Sequence, residues 1–185
     1  MSERRPGGTY EDVLNAPEDR VAEIVEGDFY SSPRPAIRHA RIKAILTAEI
    51  VDAFDRGRTG PGGWWILPEP EIHLLPDILV PDLAGWRRER LAHLPDAPAF
   101  TLVPDWVCEI LSPSTWDLDR RKKFPAYAGH RVEWLWLVDP SARRLEVYRL
   151  DRDRWRHVTT HEGRGHACAE PFDAIEIELG ALWPE

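Results

Sequence analysis

The sequence predicts a mixed α/β domain, with a central mixed β-sheet flanked by helices. Three observations carry that expectation. Residues 39–54 (HARIKAILTAEIVDAF) place Ile42, Ile45, Leu46, Ile50, Val51 and Phe54 at helical spacing. Residues 106–111 (WVCEIL) and 134–138 (WLWLV) are short and almost wholly apolar, as strands covered on both faces are. The charged stretch between them, 116–129, reads as helical, so 106–138 has the form of a strand–helix–strand crossover.

The remaining elements follow from local chemistry. Thr9 can cap a short helix over 9–15, where Tyr10, Val13 and Leu14 share a face. Residues 21–30 read as a strand, a turn at Gly27 and a second strand, and Pro33 and Pro35 then break the chain. A Gly/Pro loop fills 56–63, and extended runs follow at 64–67, 71–75 and 78–83. Residues 87–94 suit a short helix or turn. Residues 145–149 and 154–160 make a hairpin across 151–153, and 175–179 alternates polar and apolar side chains. No repeat or long linker interrupts the pattern. The expected organisation is one domain over 1–185: an N-terminal helix and arm (1–20), a core (21–160) and a tail strand (161–185).

Composition narrows the function classes. A hydrophobic fraction of 43% supports a core without staples, and nine tryptophans are expected mainly inside it. Two cysteines, Cys108 and Cys168, suit a reducing cytoplasm better than a disulfide framework. The polar N-terminus and the lack of any run near 18 apolar residues predict a soluble cytoplasmic protein with no membrane span. The net charge of −8 argues against tight nonspecific DNA binding, which draws on a basic surface.

Three carboxylates stand where apolar strands can aim them. Asp82 follows Pro81 at the end of the 78–83 run, Glu109 is enclosed by Trp106, Val107, Cys108, Ile110 and Leu111, and Glu23 lies among Val21, Ile24 and Val25. Each alone is more simply an acid on a strand's outer face. Strand alternation, however, puts Glu109 on the face of Val107 and Leu111, which looks buried, and a buried carboxylate needs a partner or a metal. The turn Ser112-Pro113-Ser114-Thr115 ends that strand. Asp119, Lys123 and Tyr127 then share one helical face, from which the lysine can reach back over the sheet. Two acids and a lysine at a strand end suit phosphodiester hydrolysis: the acids hold a hard cation, and the lysine orients water or offsets phosphoryl charge.

Pro81-Asp82, the run from Glu109 to Thr115, Asp119, Lys123, Tyr127 and the run Trp136-Leu137-Val138-Asp139-Pro140 together resemble the Uma-two family of restriction endonucleases, within the PD-(D/E)XK nuclease superfamily. The resemblance runs from about Glu23 to Tyr148. It implies a restriction-endonuclease-like core, a magnesium site (manganese as the alternative) formed by Asp82 and Glu109, and a DNA substrate. Leu111 occupies the position where the superfamily lysine normally stands, and Lys123, on the next helix, matches the lysine as this family shifts it. Glu23 matches an N-terminal glutamate of the family, as an auxiliary acid, and His39 matches a histidine without an assigned role. Pro125 is expected to kink the Lys123 helix, which leaves Lys122 as an alternative, and Arg131 stands where a helix-ending glycine is expected.

Other signals are weaker. His161, His166 and Cys168 fit no common zinc spacing, Cys108 reads as a core residue, and Gly62-Gly63 is a turn. The Arg87–Arg90 and Arg120–Lys123 clusters suit a phosphate track or a solvated surface equally. The expected function is a magnesium-dependent endonuclease acting on DNA, as a homodimer because duplex cutting calls for two sites. The rival expectations are an inactive nucleic-acid-binding or protein-interaction module on the same fold, and a hydrolase of small phosphodiesters.

Overall fold

Apolar patterns of period 2 and period 3.6 resolve, over residues 2–183 described by the computed structural model, into short strands and few helices. Met1, Pro184 and Glu185, the ends of the expected arm and tail, lie outside the described residues. The chain runs through β1 (Glu3–Arg5), α1 (Tyr10–Leu14), β2 (Arg20–Val25), β3 (Asp28–Pro33) and α2 (Ile37–Ile50), which widens into a π-helical turn at Val51–Asp55. Next come β4 (Trp64–Pro68), β5 (Ile72–Leu74), β6 (Asp77–Leu79), β7 (Leu83–Arg87) and β8 (Trp106–Ile110). A short α3 (Trp116–Leu118), a second π-helical turn (Asp119–Lys123) and α4 (Phe124–Gly129) lead to β9 (Trp134–Asp139). The chain continues with β10 (Arg144–Asp151), β11 (Arg154–Glu162), β12 (His166–Ala167), β13 (Ile177–Glu178) and α5 (Leu179–Leu182).

The architecture is mixed α/β, as the sequence predicts, but its strands form two main sheets instead of one. A six-stranded sheet has the order β11-β10-β9-β8-β7-β4 and is antiparallel except where β8 and β9 run parallel. That pair is the expected crossover, with Trp106 beside Trp134 and Ile110 beside Val138. A five-stranded antiparallel sheet has the order β1-β3-β2-β6-β5. Strand alternation divides the core accordingly. Trp106, Cys108, Ile110, Trp136 and Val138 pack against Ile42, Leu46, Ile50 and Phe54 of the long helix and against Phe172, Leu182 and Trp183. From the opposite face, Val107, Leu111, Leu135 and Leu137 pack with Tyr127 and Leu118, and with Val25, Ile72 and Leu79 of the five-stranded sheet. At Gly85 an added Cβ would meet Ile66 Cδ1 at 2.9 Å and the Trp64 and Trp106 rings at 3.2 Å, so this crossing of strands requires glycine.

The expected strand 78–83 is two strands in different sheets, β6 and β7. Pro81 has no N–H to give a ladder, and the chain changes sheet at Val80-Pro81-Asp82. The expected tail strand contracts to β13, paired with β12, followed by α5. β1 is too short to show a period, which is why the pattern missed it. The break expected at Pro125 comes earlier, as the π-helical turn. Pro125 itself opens α4, where a missing N–H does no harm. Arg131 takes the left-handed conformation (φ 68°) expected of a glycine there. Among the described residues no helix is long and apolar enough to cross a membrane.

Candidate active site

The change of sheet leaves backbone groups at Val80–Asp82 without ladder partners, and side chains supply them. Glu23, on β2, accepts a hydrogen bond from the Val80 N–H at Oε1 (2.7 Å). The Val80 carbonyl accepts one from Lys123 Nζ (3.1 Å). The Asp82 N–H points at Glu109 Oε2 (3.4 Å), and Asp82 Oδ2 in return accepts from the Ile110 N–H of β8 (2.8 Å). Asp82 and Glu109 are thus held against each other by the ends of two adjacent strands.

Lys123 completes the group. Its ammonium lies 2.8 Å from both Glu23 Oε1 and Glu109 Oε1 and 4.0 Å from Asp119 Oδ1. All four side chains are buried, Lys123 at 2% exposure. The π-helical turn places Asp119 and Lys123 together over the sheet, and Tyr127, one turn on, donates its hydroxyl to Glu109 Oε1 (2.6 Å). Lys122 points elsewhere, to Glu26 at the surface (2.6 Å). The cleft above these groups measures about 50 Å³, room for a few water-sized groups, and Ser32, Pro35, Ser112, Ser114 and Thr115 form part of its wall.

On the helix side, His39 Nε2 lies 3.1 Å from Asp82 Oδ2, within ion-pair range of the carboxylate, while the buried Nδ1 has no hydrogen-bond partner. This gives the unassigned histidine a place: it begins the apolar stripe of α2 and meets the sheet at Asp82. Lys43, one helical turn further, pairs with Glu69 and stands 3.7 Å from Asp82 Oδ1. Sequence reasoning missed both. Lys43 carried a signal, as a charge at i+4 from His39, whereas Glu69, in a left-handed backbone conformation (φ 48°), carried none.

Acidic charge is in excess here. Burial, with Asp82 and Glu23 adding repulsion, outweighs the pull of Lys123 and raises the Glu109 carboxyl to about 7. Burial and then Glu109 push Asp119 well above the ordinary carboxylate range. Burial opposes the charge on Lys123, but Glu109 and Glu23 more than offset it and hold its pKa well above the usual lysine value. Burial also keeps Cys108 a thiol, as a core cysteine should be.

Among the described residues no three His, Cys, Asp or Glu side chains form a ready-made metal cluster. The donor set nevertheless fits magnesium, which keeps several waters and takes one or two carboxylates together with substrate phosphate. Asp82 Oδ1 and Glu109 Oε2 are the least engaged oxygens, with their nearest polar partners at 3.7 Å and 3.4 Å. The arginine clusters do not form a free basic track. Arg88 pairs with Asp55 (2.8 Å), Arg90 with Asp105 (2.7 Å), Arg120 with Glu146 (2.7 Å) and Arg121 with Asp117 (3.1 Å).

A solved structure described as a "putative nuclease belonging to DUF820" from Anabaena variabilis ATCC 29413 superposes with a TM-score of 0.74 and 22% identity, covering 95% of this chain and 97% of that one. At that identity the likeness establishes the fold. No curated protein matches the chain. The model of the Uma2 family, described as "Putative restriction endonuclease", matches residues 9–179, nearly the whole sequence. The chain belongs to the Uma2 family.

Proposed function

We propose that the protein is a divalent-metal-dependent endonuclease that hydrolyses DNA phosphodiester bonds in the cleft of Asp82, Glu109 and Lys123. Membership of the family supports a nuclease-like function. The observation that carries the finer reading is the pair Asp82–Glu109 beside a buried lysine: more carboxylate charge than the local cations offset, with Asp82 Oδ1 and Glu109 Oε2 held only by longer contacts.

Asp82 and Glu109 would hold magnesium or manganese. A cation there supplies Lewis-acid polarisation of the phosphate and a water of lowered pKa. The protein's own groups do the rest. Lys123, whose three N–H groups are engaged by Glu23, Glu109 and the Val80 carbonyl, offsets by its charge the negative charge that develops on the phosphoryl oxygens. It would have to release one of these partners to orient the attacking water. Glu23 is a positioning acid, since its Oε1 is taken by Lys123 and the Val80 N–H. His39 fixes the Asp82 carboxylate by engaging Oδ2 and so leaves Oδ1 to the cleft. Tyr127 holds Glu109 Oε1 in the same way.

The test is cleavage of circular DNA, both supercoiled duplex and single-stranded, with magnesium, with manganese and with a chelator. Cutting that needs the metal supports the reading. Intact DNA with both metals and both substrates contradicts it.

A further inference from the structure

We infer that the site takes an unpaired DNA strand, with Trp116 as the platform on which a base beside the scissile phosphate stacks. This rests on the nuclease reading and names its substrate class.

Four observations converge. The described tryptophans are otherwise buried or half-buried, but Trp116 is 40% exposed, and it follows directly on Thr115 in the cleft wall. The Ser112–Thr115 turn fixes that position, because the Ser112 carbonyl accepts from the Trp116 N–H at 2.9 Å. The Arg121 guanidinium lies 6.0 Å from the Trp116 ring centroid, an arginine beside an aromatic face. The cleft itself, about 50 Å³, is lined by Asp82, Glu109 and Lys123 together with Ser112, Ser114 and Thr115, the residues that lead into Trp116.

The charge distribution points the same way. Duplex binding is driven largely by cations on phosphates, and several cations near the cleft are already paired: Lys122 with Glu26, Arg120 with Glu146, Arg4 with Asp28 (2.5 Å). The cleft wall also offers hydroxyls. Ser112 Oγ lies 2.9 Å from both Ser114 Oγ and Thr115 Oγ1, and Ser2 Oγ lies 2.7 Å from Ser32 Oγ. Hydroxyls can position a backbone, and an aromatic ring gives affinity through stacking, which every base can satisfy. A protein of net charge −8 can bind nucleic acid in this way without a basic groove. A single strand also needs one site, so the substrate class does not depend on two-fold assembly.

The experiment is fluorescence anisotropy with a labelled DNA strand of about 12 nucleotides, free or annealed to its complement, in chelator. The native protein is compared with Trp116→Ala and Trp116→Phe. The expected result is tighter binding of the free strand, weakened roughly 5- to 100-fold in Trp116→Ala and largely kept in Trp116→Phe. Equal affinity of native protein and Trp116→Ala for the free strand overturns the inference. So does an equal loss on strand and duplex, or tighter binding of the duplex by the native protein. Because no metal is present, the result is independent of whether the protein cleaves.

Discussion

The Lys123 ammonium lies 2.8 Å from Glu109 Oε1, although the two residues come from different elements, a π-helical turn and β8. The lysine is as buried as the acid it serves, and it bridges that acid to Glu23. Where a nuclease strand would carry its own lysine, this chain has Leu111 in the apolar core, and the charge arrives from the helical connection.

Lys123→Ala is therefore expected to abolish cleavage and to destabilise the fold by about 3–5 kcal/mol, since two buried carboxylates lose their counter-charge. Lys122→Ala, which removes only a surface pair with Glu26, should leave both cleavage and melting temperature unchanged. Denaturant melts and cleavage rates of the two variants check this. The reverse pattern makes Lys122 the working lysine.

His39→Ala should weaken manganese binding by roughly 10- to 100-fold while the protein remains folded, because Asp82 loses the contact that orients it. His39→Gln, which keeps a donor, should recover part of the affinity. Calorimetric titration of manganese measures it, and unchanged affinity in His39→Ala would remove the positioning role.

Glu109 gives a pH signature. Its folded carboxyl, at about 7, lies above the ordinary 4.5, so between those values the folded state keeps a proton that the unfolded chain has lost. The stability linked to that proton is full below about pH 4.5 and is lost as the pH rises through 7, by at most about 3 kcal/mol. In chelator the melting temperature should fall between about pH 4.5 and 7 and level off above, and Glu109→Gln should flatten the fall. Metal competes with the same proton, so at limiting magnesium cleavage should rise with pH through about 7, with a midpoint that moves down as magnesium is added. A native melting temperature that does not fall between about pH 4.5 and 7 contradicts this.

Gly85→Ala should cost about 1–3 kcal/mol, because its Cβ would press on Ile66 and two tryptophan rings, without touching the cleft. Thermal melts should show the loss at unchanged specific activity of the folded fraction.

Much of this was legible in the sequence for physical reasons. The runs 106–111 and 134–138 are buried on both faces, and such strands announce themselves by apolarity alone. Glu109 stood out because a carboxylate in that setting needs a partner, and Lys123 because helical spacing aligned it with Asp119 and Tyr127. The split of 78–83 was not legible: both halves are apolar, and only the pairing partners show that they belong to different sheets. Glu69 was hidden because its contact with Lys43 depends on where α2 meets the loop after β4, which no local pattern encodes.

In the proposed mechanism Asp82 and Glu109 jointly hold the cation that drives cleavage. Its most direct test is the magnesium-dependent cutting of circular DNA, single-stranded and supercoiled, by native protein, Asp82→Ala and Glu109→Ala, purified in parallel and shown to be folded. The expected result is cutting by the native protein that is lost in both variants. Equal cutting by all three would contradict it.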